Sequence, residues 1–283
     1  MKKFIINIIN GIIFGISNVI PGVSGGTMAI IFNFYDILTE SITLNFKVLK
    51  KNIKFIIPFG IGIILGIIVF SAIIDYLIGN HTQATYFGLI GIVLGSIPLI
   101  LFKAKKAGKI TTISYIPFII TLGIMVVLSI QPQDDTSGIL FTTLNLESFI
   151  VLFLGLTIAA ATMIIPGISG SLMLVIMGLY TTVIAEVIGN FNILLMIPVL
   201  LGIGFGLLAG AKLITILLRK YTQLTYMAIF GLVIGSIIPL WQETKFNYIM
   251  DMNIIISIIS LVIMFIIVYS FSKYEINKDN KGE

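Results

Sequence analysis

Apolar residues run along this chain in long blocks, parted by short polar stretches. The blocks Ile53–Ile74, Tyr86–Phe102, Ile113–Ile130, Leu194–Leu218, Tyr226–Leu240 and Ile254–Phe271 are each close to the roughly 17–25 apolar residues that cross a bilayer as a helix. Two further pairs of apolar segments are shorter or more interrupted: Phe4–Ile20 with Thr27–Phe46, and Phe149–Ile165 with Ser171–Ile188. Proline and glycine separate the members of each pair. Each pair therefore predicts two helical arms around a break, arranged either as a re-entrant hairpin or as two full crossings.

Composition agrees with this pattern. Of 283 residues, 58% are hydrophobic and 10% charged, against roughly 45–50% and roughly 25% in a soluble domain. The reading is an all-α polytopic membrane protein, residues 1–283 forming a single membrane domain with no soluble part. Cysteine is absent and His81 is the sole histidine, which removes disulfides, thiolate chemistry and histidine-based metal cages. No metal or cofactor is expected. The Met-Lys-Lys start followed by an apolar run lacks a small-x-small cleavage site, and Asn7, Asn10 and Gly11 interrupt it; it reads as a first membrane segment rather than a signal peptide. The net charge of +5 sits in short loops, where lysines set topology rather than bind nucleic acid.

The chain repeats itself. Asn18–Leu38 matches Met163–Val183, with Pro21, Gly22, Ser24, Gly25, Met28 and Tyr35 falling on Pro166, Gly167, Ser169, Gly170, Met173 and Tyr180 at a constant displacement. A second block pairs Thr82, Gln83, Thr85, Tyr86, Gly91, Gly95 and Ser96 with Thr222, Gln223, Thr225, Tyr226, Gly231, Gly235 and Ser236. Between the blocks, Pro58, Gly62 and Gly66 pair with Pro198, Gly202 and Gly206. So many ordered matches indicate duplication. The first repeat runs over about residues 4–130 and the second over about 148–272, each a broken helix pair followed by three transmembrane helices.

Positive residues flanking spans are retained in the cytoplasm. With Lys2 and Lys3 inside, and the first broken pair returning to its starting side, the Lys47–Lys54 cluster is inside, the Asp75–His81 loop outside and Lys103–Lys109 inside. Gln131–Glu147, with acids and no cation, is then outside. The second repeat starts outside, returns outside at Glu186–Asn192, and puts Arg219 and Lys220 inside, Glu243–Asp251 outside and Lys273–Lys281 inside. Lys245 alone violates the pattern. The two repeats are thus expected in inverted topology, with both termini cytoplasmic.

A proline and glycine in an apolar stretch free backbone groups that hydrocarbon cannot satisfy, so each break must be buried in protein or line a cavity. Each break is followed by serine, glycine and a further hydroxyl opening a helix: Ser24-Gly25-Gly26-Thr27 and Ser169-Gly170-Ser171. Free amides, a capping hydroxyl and the helix dipole suit such a start to an anion, and glycine allows close approach. Entering from opposite faces, the two tips could enclose one ligand. The plainer alternative is helix kinks and small-residue packing, which is how Gly91/Gly95 and Gly231/Gly235 are read. Thr82-Gln83 and Thr222-Gln223 read as helix starts. Asp36, Glu40 and Glu186 are candidates for proton coupling, or else hydrated groups near an interface. Lys212 lies near its span's end and can snorkel. His81 is placed in an external loop.

At Pro21-Gly22-Val23-Ser24-Gly25-Gly26-Thr27 and Pro166-Gly167-Ile168-Ser169-Gly170-Ser171 the sequence resembles the polyprenyl-phosphate translocase family of bacterial membrane proteins, along nearly its whole length. The resemblance implies a flippase-type transporter that returns undecaprenyl phosphate, the carrier lipid of cell-wall synthesis, from the outer to the inner leaflet of the bacterial cytoplasmic membrane. The implied partners are that polyprenyl-phosphate lipid and the surrounding membrane lipids. The chain departs from the family at Asn18 and Thr181, where acids are common. A phosphate site would comprise Asn18, Pro21, Gly22, Ser24, Gly25, Gly26, Thr27, Pro166, Gly167, Ser169, Gly170 and Ser171, with Tyr35 and Tyr180 lining the cavity. Two alternatives stand beside it. Undecaprenyl pyrophosphate phosphatases share inverted repeats and a Pro-Gly-x-Ser motif, but add an arginine after the serine and a glutamate cluster. Here Gly25 and Gly170 follow the serines, there is no Glu-Glu pair, and no arginine precedes Arg219, so phosphoryl transfer lacks its usual cation and base. An ion-coupled small-solute transporter would want a wetter polar pathway.

Overall fold

The computed structural model describes residues 2–19, 25–43, 45–130, 139–244 and 252–281, and these are helical with short connections. Helix α1 (Lys2–Val19) leads to two short helices, α2 (Gly25–Ile31) and α3 (Tyr35–Ser41). Then come α4 (Phe46–Ala107), α5 (Tyr115–Ile130) and α6 (Leu146–Ile164), followed by α7 (Gly170–Ile176), a π-helical turn (Thr182–Gly189), α8 (Ile193–Lys220), α9 (Thr222–Gly235), α10 (Ile237–Glu243) and α11 (Met252–Lys281). Among the described residues, seven helical segments are long and apolar enough to cross a membrane: Phe46–Val69, Tyr76–Ala107, Thr112–Ile130, Leu146–Ile164, Ile193–Lys220, Thr222–Glu243 and Asn253–Asn277. The protein is a multi-pass membrane protein. Its exposed large side chains, such as Ile119, Ile120, Ile258, Ile259, Ile266 and Ile267, have lipid as their natural solvent.

The second arm of each broken pair is not the single helix that Thr27–Phe46 and Ser171–Ile188 suggest. After α2 the Phe34 N–H donates to the Ala29 carbonyl (2.9 Å) and the Asn33 N–H to Ile30 (3.1 Å), with Asn33 at φ 56°. After α7 the Leu179 N–H donates to Leu174 (2.8 Å) and Gly178 to Val175 (2.9 Å), with Gly178 at φ 69°. These are Schellman stops, which need a left-handed residue just past the helix; glycine takes that conformation freely and asparagine at small cost. The stops leave α2 and α7 with 7 residues each, too short to cross a bilayer alone.

The expected external loop Asp75–His81 is also helical. Within α4 only His81 leaves helical geometry (φ −136°, ψ 43°), and Tyr221 between α8 and α9 has nearly the same angles (φ −134°, ψ 45°). Thr82 and Thr85 donate to Ile78 and His81 carbonyls, as Thr222 and Thr225 do to Leu218 and Tyr221. Hydroxyls thus occupy the carbonyls that the break exposes, and one residue suffices as the connection. The helix starts at Thr82 and Thr222 are where the sequence puts them.

Glycines set the helix seams. A Cβ on Gly62 would lie 2.2 Å from the Ile8 carbonyl oxygen and one on Gly66 2.5 Å from that of Ile12; on Gly202 and Gly206 it would meet Phe153 (2.6 Å) and Thr157 (2.3 Å). The displacement that carries Pro21 to Pro166 also carries Ile8 to Phe153 and Ile12 to Thr157. The order of these contacts makes α1 run parallel to the first part of α4, and α6 parallel to α8. Gly91 and Gly95 lie against Leu261 and Phe265 of α11, while Gly231 and Gly235 lie against Phe118 and Met125 of α5. These pairs are parallel as well. The largest buried cluster gathers Met28, Ala29, Ile30, Ile31, Phe34 and Tyr35 with Tyr86 and Ile90 of α4 and Tyr226 and Met227 of α9, so the segment after the first break sits at the centre.

Candidate functional site at the two breaks

The second break is built by its own sequence. Ile165 precedes Pro166 and takes the extended conformation (φ −75°, ψ 119°), because the proline ring disfavours a helical residue before it. Gly167 follows at φ +93°, and a Cβ there would stand 2.6 Å from the Leu232 carbonyl carbon of α9. Both the conformation and the contact require glycine. Pro166, Gly167, Ser169 and Gly170 are buried and Ser171 is half-buried.

What α6 leaves unsatisfied is taken up by the first half of the chain. The Gly167 N–H donates to Thr27 Oγ1 at 2.8 Å, across 140 residues. The Tyr35 hydroxyl donates to the Ile164 carbonyl at 2.9 Å. Gly26 lies so close that a Cβ would be 2.5 Å from the Ile164 oxygen. Thr27 (4% exposed) and Tyr35 (1% exposed) are thus clamps between the halves; Tyr35 does not line an open cavity. Tyr180 is half-buried at the approach to the π-helical turn.

At the second tip Ser169 stands at the N-cap of α7 but makes no capping bond; its hydroxyl lies 2.7 Å from that of Ser171. The expected cap is therefore a hydroxyl pair instead, since a partner two residues on competes with the backbone amide. At the first tip Pro21, Gly22 and Ser24 lie outside the described residues. Gly25 is described, with Phe14 and Asn18 at 2.7 and 2.8 Å from where a Cβ would stand, and Asn18 Nδ2 donates to the Phe14 carbonyl at 2.7 Å. Gly170 has Met163 and the Ala159 carbonyl in the corresponding places.

The acids do not gather at the tips. Asp36 is exposed and Glu40 half-buried, and both line a cleft of about 300 Å3 with Thr39, Thr215, Arg219 and Tyr226. Glu186 accepts from Asn190 Nδ2 at 3.0 Å. A polar chain that sequence reasoning missed runs elsewhere: Lys103 Nζ donates to Asn33 Oδ1 (2.8 Å), and Asn33 Nδ2 to Glu275 Oε2 (3.0 Å), with Glu275 8% exposed. It ties the turn after α2 to α4 and α11. No local pattern announces a bond between residues 242 positions apart.

Among the described residues the serine hydroxyls of the second break, Ser169 and Ser171, pair with each other rather than with a cation or a base, so phosphoryl cleavage lacks its usual parts there. Among the described residues no group of three or more acids or histidines could hold a metal. The undecaprenyl phosphate translocase-like family model matches residues 14–256. The chain belongs to that family. A polyprenyl-phosphate transporter of Staphylococcus aureus is 33% identical over 271 residues, covering 93% of this chain and 94% of that protein. One of Vibrio cholerae is 28% identical over 250 residues, 82% of this chain and 76% of that protein. No solved structure matches. Family and relatives are named for transport, not catalysis, which fits a protein that is not an enzyme.

Proposed function

We propose that this protein transports undecaprenyl phosphate, carrying it from the outer to the inner leaflet of the bacterial cytoplasmic membrane so that the carrier lipid is reused in cell-wall synthesis. The named function of the relatives supports the substrate class. The observation that carries the site is the bond from Gly167 N–H to Thr27 Oγ1: the second break is joined to the start of the helix after the first. A phosphate held there by Ser24, Ser169, Ser171, Asn18 and neighbouring amides would exchange hydration for hydrogen bonds, with the prenyl tail left in lipid. Thr27 has a positioning role in this scheme, since its oxygen already receives one of the candidate amides.

Residues 4–130 and 148–272 are proposed as inverted repeats. Successive crossings run in opposite directions, so the fourth and fifth helices of one repeat are antiparallel. The parallel packing of Gly91/Gly95 on α11, and of Gly231/Gly235 on α5, pairs the fourth helix of each repeat with the fifth of the other in the same direction. That relation supports inversion. Rocking of one repeat against the other would then expose the phosphate to each leaflet in turn. Both termini are cytoplasmic in this scheme.

The test is reconstitution in liposomes with undecaprenyl phosphate in one leaflet, measuring leaflet exchange and phosphate release together. Exchange without release is expected. Release from the pyrophosphate form would favour a phosphatase, and neither activity would sink both. Replacing Gly25 or Gly170 by phenylalanine should stop exchange while the protein still inserts; unchanged exchange would remove the tips from the mechanism.

A further inference from the structure

A groove of about 710 Å3 opens where α1 and α4 begin, and its lining divides into two zones. Lys3, Lys51 and Lys54 stand at one end, and Phe4, Ile57 and Pro58 form apolar wall. No aspartate or glutamate lines it, and none of the three lysines has an ion pair among the described residues. The cleft beside Arg219 differs, because Asp36 and Glu40 line it too.

The zoning follows from helix direction. The Ile8–Gly62 and Ile12–Gly66 contacts make α1 and this part of α4 parallel, and Asn7 Nδ2 donates to the Lys54 carbonyl at 3.1 Å. The register therefore puts Lys3, at the start of α1, beside the early turns of α4 that carry Lys51 and Lys54. Lys51, Lys54 and Pro58 recur at spacings of three and four, on one helix face, so the wall passes from cationic to apolar along the helix. An amphiphile with an anionic head fits that gradient; a free anion leaves the apolar zone unused.

A second observation is independent of the lysines. Asn52 lines the same groove and is 7% exposed, yet its Nδ2 has no hydrogen-bond partner among the described residues. Buried amide donors are almost always paired, and one left unpaired is costly. A phosphate in the groove that drew the Asn52 side chain outward would supply its acceptor.

We propose that this groove is a binding site for an anionic phospholipid of the leaflet on the lysine-bearing side, its phosphate held by Lys51, Lys54 and Asn52 and its chain lying on Phe4, Ile57 and Pro58. The site is separate from the two breaks and does not depend on the transport reading. Trp241 is the only tryptophan, so a Phe4→Trp, Trp241→Phe variant carries a single reporter in the groove. In nanodiscs of phosphatidylcholine with a small fraction of brominated lipid, brominated phosphatidylglycerol should quench this reporter several-fold more than brominated phosphatidylcholine. Lys51→Gln and Lys54→Gln should each weaken that preference about fivefold, Lys51→Arg should keep it, and Asn52→Leu should reduce it. Equal quenching by the two lipids overturns the proposal with no charge variant required. Relief of quenching by inorganic phosphate alone, with chloride at equal ionic strength as control, would also overturn it, making the groove a small-anion site.

Discussion

The two halves are alike in sequence around their breaks and unlike, among the described residues, in the side chains that reach across to the other half. Pro21, Gly22, Ser24 and Gly25 match Pro166, Gly167, Ser169 and Gly170, and the Schellman stops at Asn33 and Gly178 match bond for bond. At the second break, however, the described polar links come from the first half. Thr27 and Tyr35 reach from the first half to Gly167 and Ile164 of the second; at the matching displacement Thr27 falls on Leu172, which has no hydroxyl, and Tyr35 falls on Tyr180, which is only half-buried. The glycine seams show the opposite behaviour, with Gly62 on Ile8 reproduced by Gly202 on Phe153. Glycine packing at the seams recurs in both halves, while the polar clamp described at the centre is built from Thr27 and Tyr35 of the first.

The seams can be broken most severely. Gly62→Leu or Gly202→Leu should each cost about 3 kcal/mol or more through overpacking against a backbone carbonyl that cannot yield, read as loss of monodisperse protein in detergent. Gly60→Ala and Gly204→Ala, one turn-face away with nothing within 4 Å of the added carbon, should be neutral or slightly stabilising. Equal damage at both kinds of site would remove the seam argument.

The clamp comes next. Thr27→Val leaves the buried Gly167 N–H without its acceptor, at about 2 kcal/mol, and should lower both the thermal midpoint and lipid exchange; Thr27→Ser should restore both. Gly167→Ala is expected to cost a similar amount, about 2 kcal/mol, because φ +93° is strained for any L side chain. Tyr35→Phe removes one hydrogen bond, about 1 kcal/mol. Tyr180→Phe should cost measurably less, and a Tyr180 effect as large as that of Tyr35 would contradict a clamp built from the first half. The smallest change is expected outside the breaks. Lys106 and Asp279 pair at 2.8 Å but are 53% and 45% exposed, so Asp279→Asn should shift stability by less than about 1 kcal/mol and vanish in high salt.

Some local features were readable and some were overlooked. Thr82 and Thr222 start helices as their pattern indicates, and Gly91, Gly95, Gly231 and Gly235 pack closely as small-residue spacing suggests. Asn33 and Gly178 were legible as helix stops, being an asparagine and a glycine at the end of short apolar runs, yet a hydropathy reading passes over them because the apolar stretch resumes at once. The same reading makes a loop of Asp75–His81, whereas threonine hydroxyls let a single residue, His81, make the connection.

The sequence by itself determined the solvent, the spans and, among the described residues, the break at Pro166-Gly167. In hydrocarbon every helix must satisfy its own backbone, so a span or its interruption is declared by the residues within it. Only the tertiary structure decided what the breaks touch. Thr27 on Gly167, Tyr35 on Ile164, and Lys103 through Asn33 to Glu275 join residues brought together by how separate helices pack, and that packing is a property of the whole chain rather than of any stretch of it.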